Sequence, residues 1–130
     1  MTTDLTMLVA TAVLCLLIPT LYVVGRAQTP GGMAWALGNR SGPLDLPEWA
    51  ARAQRAHANL VENLAAFAIL VLVAQVSGKA NAWTALGAQI FFWARVAHVA
   101  VYTAGITGVR TVVFFIGTAG ELLILIQLLG

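Results

Sequence analysis

At 130 residues, 60% hydrophobic and only 9% charged, the chain lies far from soluble domains, in which about a quarter of residues carry charge. It reads as an integral membrane protein, and at about 20 apolar residues per span its length holds four spans and no separate soluble catalytic domain. The formal charge of +2 comes without a basic run or basic–aromatic interleaving, which argues against nucleic acid as a partner. The single cysteine, Cys15, excludes a disulfide framework; among Val, Leu and Ile it reads as an inert, packed thiol.

The first span is expected over residues 5–25, preceded by Asp4 where a cleavable signal would carry positive charge. Residues 27–47 hold Pro30, Gly31, Gly32, Gly38, Gly42 and Pro43 among other turn formers and read as one long loop. Asp45, with Glu48 three residues on and Pro47 between, resembles a capping-box start for a second span over 48–76. Ser77-Gly78-Lys79 is a short turn, so the third span, 82–104, is an antiparallel neighbour. Gly105-Ile106-Thr107-Gly108 breaks that span before the fourth, 109–129. Residues 1–130 are thus expected to form one all-α domain, a four-helix bundle in the lipid bilayer. Arg26, Arg40, Arg52, Arg55 and Arg110 gather on one side and Lys79 stands alone on the other, which predicts a cytoplasmic arginine side with both termini outside.

Polar residues in such a chain mark candidate sites, because ionisable groups at membrane depth face a partner, a bundle interior or a wet cavity. On a helix turning about 100° per residue, Arg52, Arg55, Asn59 and Glu62 fall within an arc of roughly 80°, and Arg95, His98 and Tyr102 within about 60°. Both stripes lie in the same half of the bilayer and can meet. Arg95, about 15 Å from its helix end, is too deep to snorkel and needs an acidic partner; Glu62 is the expected one, with Glu121 as competitor. His57 projects about 180° from the centre of its own stripe, toward a neighbouring subunit or water. The alternative for all these groups is that they fasten helices together. Neither histidine has a second ligand one turn away on its face, so no metal site is expected. Without a catalytic triad, a phosphate loop or paired carboxylates, the chain offers no nucleophile of its own, and any chemistry must arrive with a ligand. Arginines beside an asparagine and a tyrosine suit a small anion bearing carboxylates and amides.

The segment Arg55-Ala-His57-Ala-Asn59-Leu-Val-Glu62 resembles the R-A-H-x-N-x-x-E element of the MAPEG proteins, membrane-associated proteins in eicosanoid and glutathione metabolism. Arg95-Val-Ala-His98-Val-Ala-Val-Tyr102 is similar to that family's R-x-x-H-x-x-x-Y element, and Arg110-Thr111 to its arginine and hydroxyl residue at the start of the last helix. The resemblance covers residues 45–120. It implies a homotrimer of four-helix protomers that binds glutathione between subunits on the cytoplasmic side, in the inner (plasma) membrane for a bacterial member. Ala51 and the short Tyr102–Arg110 spacing depart from the eicosanoid-synthesising branch, so a bacterial-type member fits better.

The resemblance therefore implies a glutathione-dependent transferase, with peroxidase activity as a variant, that presents the glutathione thiolate to small hydrophobic electrophiles. Arg26, Arg52, Arg55, His57, Asn59, Glu62 and His98 are the implied ligand-binding residues, and Arg110, Thr111 and Tyr102 the catalytic ones. Arg110 suits that role because a guanidinium keeps its charge and donates directionally to an anion. A catalytically silent member, serving as a small membrane scaffold or subunit, is the alternative.

Overall fold

Four helices in the computed structural model, which describes residues 1–130, are long and apolar enough to cross a membrane. They are α1 (Thr3–Gln28), α3 (Glu48–Val76), α4 (Ala82–Ala104) and α5 (Thr107–Leu129), with a short α2 (Gly32–Leu37) between the first two. No strand is present. The chain is an integral, multi-pass membrane protein built as an all-helical bundle, the arrangement in which every segment satisfies its own backbone in lipid.

The long loop expected over 27–47 contains the helix that the turn formers concealed. α1 continues to Gln28, and Gly31, at φ 72°, turns the chain into α2. A side chain would be strained at that left-handed position. The Trp35 indole N–H then donates to the Gly42 carbonyl at 3.0 Å, folding the rest of the loop back on α2. The expected capping box at Asp45 and Glu48 does not form: Pro47 is the N-cap of α3 and no side chain caps it. A capping box does open α4, where Asn81 Oδ1 accepts from the Trp83 and Thr84 amides at 2.7 and 3.2 Å while the Asn81 amide donates to Thr84 Oγ1 at 2.9 Å. α5 begins at Thr107, two residues before the expected start, with Ile106 as an uncapped N-cap.

Helix association in lipid depends on close van der Waals fit, which small residues permit. α4 and α5 form the most extensive contact. A Cβ on Gly87 would lie 2.6 Å from the Gly120 carbonyl oxygen and one on Gly120 equally close to that of Gly87, so glycine is required on both sides. α3 offers Ala50, Ala53, Ala56, Leu60, Phe67 and Val71 as its buried stripe. Phe67 stacks on Phe91 of α4 with ring centroids 4.0 Å apart, inside a core that includes Val71, Ala74, Ala88 and Ile124. Near the other end Ile18, Ala56, Leu60 and Val99 form a smaller core. Leucines, valines and isoleucines such as Leu16, Ile69, Val112 and Ile126 face outward, as a lipid-bathed surface requires.

The ends are fixed by specific contacts. Arg52 Nε donates to the Thr103 carbonyl at 3.0 Å, and its guanidinium lies 3.1 Å from where a Cβ of Gly105 would stand. The start of α3 therefore clamps the α4–α5 connection. At the opposite end Lys79 Nζ donates to the Leu128 carbonyl at 2.6 Å.

Candidate functional site

Asn59 of α3, His98 and Tyr102 of α4, and Arg110, Thr111, Phe114 and Phe115 of α5 line a cleft of about 300 Å³, at the small end of the range of about 300–1,000 Å³ for ligand pockets. The sequence explains the convergence. Residues four apart share a helix face, so His98 and Tyr102 point the same way, as do Arg110 and Phe114. The two-residue connection at Gly105 and Ile106 then folds α5 back along α4 with those faces opposed. Gly105 makes the reversal possible at φ 83°.

Within the cleft the Arg110 guanidinium carbon lies 4.5 Å from the centroid of the Tyr102 ring, a cation–π distance. His98, 3% exposed, meets Tyr102 edge to face at 5.5 Å and Phe114 at 6.3 Å. Arg110 is half-buried and Thr111 exposed at the rim. Arg110 also sits in the first turn and a half of α5, close to the positive end of that helix's dipole, whose leading amides no side chain caps.

Behind the cleft lies Arg95, 1% exposed. Its expected ion pair with Glu62 is absent: the one ion pair in the chain is Arg52–Glu48 at 3.3 Å, and Glu62 is exposed. Arg95 Nη1 instead donates to Asn59 Oδ1 at 3.0 Å. The guanidinium is sandwiched between Phe91 and Phe114, with its carbon 4.8 and 5.0 Å from their centroids. Gly117 leaves it room, since a Cβ there would come within 3.4 Å of Nε and Nη2. The pairing failed because α3 turns its alanine stripe, rather than the polar arc, into the bundle. Asn59, adjacent to that stripe, reaches inward while Glu62 and Arg55 remain outside.

The cleft thus gathers Asn59, His98, Tyr102, Arg110 and Thr111 from the expected set and leaves out Arg26, Arg52, Arg55, His57 and Glu62. Arg55 stays nearest, its guanidinium carbon 6.0 Å from the centroid of the Tyr102 ring. Arg52 is occupied by Glu48 and the Thr103 carbonyl. His57, expected to project toward a neighbouring subunit or water, is half-buried against α1 of the same chain, where Nδ1 lies 3.1 Å from the Tyr22 hydroxyl and Nε2 lies 3.5 Å from Cys15 Sγ. Cys15 is accordingly not surrounded only by aliphatic side chains. Arg26 is buried over Tyr22 and Trp35, at 5.1 and 5.5 Å from their centroids. Phe114 and Phe115 are the lining residues not expected from sequence. The signal for Phe114 was its place one turn beyond Arg110; Phe115 is one more apolar residue in an apolar span.

The four-span helical bundle, with an arginine, a tyrosine and a histidine converging on a cleft between its last three long helices, defines a small polytopic membrane protein with an anion-suited site. The MAPEG family model matches residues 6–130, nearly the whole chain, and the chain belongs to that family. The family contains membrane-bound glutathione transferases and related proteins. Comparison with curated proteins and with solved structures gives no match.

Proposed function

We propose that the protein is a glutathione-dependent membrane transferase that presents the thiolate of glutathione to hydrophobic electrophiles. The observation that carries this reading is the placement of Arg110 and Thr111 in one cleft with Tyr102. A thiolate is the reactive form of a thiol and needs a nearby positive charge at neutral pH. Arg110 supplies a permanent one, close to the N-terminus of α5, and Thr111 adds a hydroxyl donor. Asn59 and His98 line the same cleft and would hold the peptide part of the ligand, and Phe114 and Phe115 would give the electrophile an apolar wall. Phe115 is 63% exposed, so that wall continues to the lipid-facing surface from which such substrates arrive.

In the transfer the sulfur lone pair forms a C–S bond to the electrophile and the leaving group departs with its electron pair. With a lipid hydroperoxide, two glutathione molecules are oxidised to the disulfide and the hydroperoxide is reduced to alcohol and water. Tyr102, under the Arg110 guanidinium, is the second candidate donor to the sulfur.

The protomer is proposed to work as a homotrimer, with the arginine side cytoplasmic. Glu62 lies about 21 Å along α3 from its first residue, at membrane depth, yet it is exposed, as is Arg55. Charged groups facing lipid are costly, and a neighbouring copy that covers α3 removes that cost. It also brings a second set of polar residues to the open side of a cleft that one protomer only partly walls.

Calorimetric titration of the purified protein with glutathione, followed by conjugation of a chlorodinitrobenzene-type electrophile, tests the reading. Binding and turnover are expected, with turnover lost in Arg110→Ala. A correctly assembled protein that binds no glutathione overturns it in favour of a silent scaffold.

A further inference from the structure

At the opposite end of the bundle from the cleft, a second cavity of about 260 Å³ lies between the start of α1 and the start of α4. Thr2, Thr3 and Asp4 line one side, and Ala80, Asn81 and Ala85 the other. Asp4 is only 3% exposed, and its Oδ2 is buried with no hydrogen-bond partner. A carboxylate taken out of water without a donor or counter-charge is strongly disfavoured.

No group of the protein donates to it or forms an ion pair with it. Asn81 Nδ2 donates to the Lys79 carbonyl and to Gln127 Oε1, both at 3.2 Å, while Asn81 Oδ1 accepts the two amides that open α4. Lys79 Nζ gives one of its three N–H donors to the Leu128 carbonyl and forms no ion pair with Asp4. Thr2 Oγ1 accepts the Leu5 amide at 3.4 Å. The dipole of α1 favours an acid in its first turn, which explains the charge at Asp4 but gives Oδ2 no donor. Alanines at 80, 82 and 85 keep the space beside it open.

We propose that this cavity binds a primary ammonium group, whose N–H donors reach Asp4 and a threonine hydroxyl. The cavity lies at the level of helix ends, where lipid headgroups pack, and Lys79, one residue from the lining Ala80, is exposed. An acid within and a base beside it match a zwitterionic ethanolamine phosphate, with the ammonium inside and the phosphate toward Lys79. A quaternary ammonium has no N–H to give the carboxylate. No group of three acidic, histidine or cysteine side chains exists to favour a metal ion. The ammonium can come from a phospholipid headgroup or from a soluble amine.

The full-length protein is incubated with equal amounts of phosphatidylethanolamine and phosphatidylcholine of identical acyl chains, and retained lipid is read by native mass spectrometry. Thermal unfolding is followed in parallel with ethanolamine or tetramethylammonium chloride. Hydrogen bonds to a charged group predict a preference for the ethanolamine lipid of about tenfold. That preference falls to parity in Asp4→Asn and in Ala85→Leu, which fills the cavity while keeping the carboxylate. If ethanolamine alone stabilises the wild type in an Asp4-dependent way without lipid preference, the soluble amine is the source and the site stands. Equal retention of the two lipids with no Asp4-dependent stabilisation by ethanolamine overturns the proposal. So does a lipid preference that survives both substitutions in variants of wild-type helicity.

Discussion

Asn59 is the point at which α3 meets the cleft, and replacing it tests how the site is built. Arg95 Nη1 donates its one hydrogen bond to Asn59 Oδ1 at 3.0 Å, while Nε and Nη2 are buried without partners. Asn59→Ala would leave a buried guanidinium with only the faces of Phe91 and Phe114. A hydrogen bond to a charged group contributes about 1.5–3 kcal/mol, and removing one partner of a buried charge costs about 3–5 kcal/mol. Part of the cost here is already borne in the wild type, so a loss of about 2–4 kcal/mol is expected. Asn59→Asp keeps the shape, adds an opposite charge, and is expected to hold stability within about 1 kcal/mol of wild type or raise it. Reversible unfolding in mixed micelles, followed by far-ultraviolet circular dichroism, measures both. Glutathione affinity is measured on the same preparations, because Asn59 Nδ2 has no protein acceptor and its loss should weaken a bound peptide by about 1–3 kcal/mol. If the alanine and aspartate variants both unfold with the wild type, the Arg95–Asn59 bond contributes nothing and the reasoning fails.

The double exchange Arg95→Glu with Glu62→Arg is expected to give no rescue of the Arg95→Glu defect, since Glu62 faces outward; restored thermal stability would return the ion pair to the fold. Arg110→Lys keeps a positive charge but loses the directional fork, so turnover should fall about tenfold or more, with a smaller change in glutathione affinity; an unchanged rate would make Arg110 a surface charge. In Gly120→Ala the new Cβ would meet the Gly87 carbonyl oxygen at 2.6 Å and the Phe91 nitrogen at 2.9 Å. Both are backbone atoms, so a loss of about 1–3 kcal/mol from overpacking is expected in the same unfolding assay. Cysteines placed at positions 40 and 79 in a Cys15→Ser background should be labelled from opposite sides of the membrane, position 40 from the cytoplasm; the reverse pattern would overturn the proposed orientation.

The spans were legible in the sequence because apolar length alone sets them, and Gly105 marked the α4–α5 reversal because few other residues take its backbone angles. Half of the cleft was legible for a related reason: His98 with Tyr102, and Arg110 with Thr111, share short segments whose helical geometry fixes their relative direction. What the sequence left open was rotation. An arc of roughly 80° on α3 tells which residues keep company but not which edge turns inward. That was decided by the alanines at 50, 53 and 56, which let α3 approach its neighbours and carried Glu62 outward. The contacts of His57 were hidden differently. Cys15 is 42 residues away from it in the chain, and no periodicity relates two helices at that separation. α2 was missed because Gly31 and Gly32 read as loop, although Gly31 serves as its N-cap.

The short α4–α5 connection, clamped by Arg52, has a consequence for how the protein is made. Six of the seven lining residues of the cleft lie between His98 and Phe115, so its chemistry occupies one continuous stretch of the chain. During synthesis α1 and α3 precede that stretch and carry Asn59 ahead of its partners. Until α5 follows, Arg95 and His98 lack their aromatic neighbour Phe114. The cleft therefore comes into being only when the α4–α5 hairpin closes, and before that point Arg95 has Asn59 and Phe91 beside it but nothing over the face that Phe114 later covers.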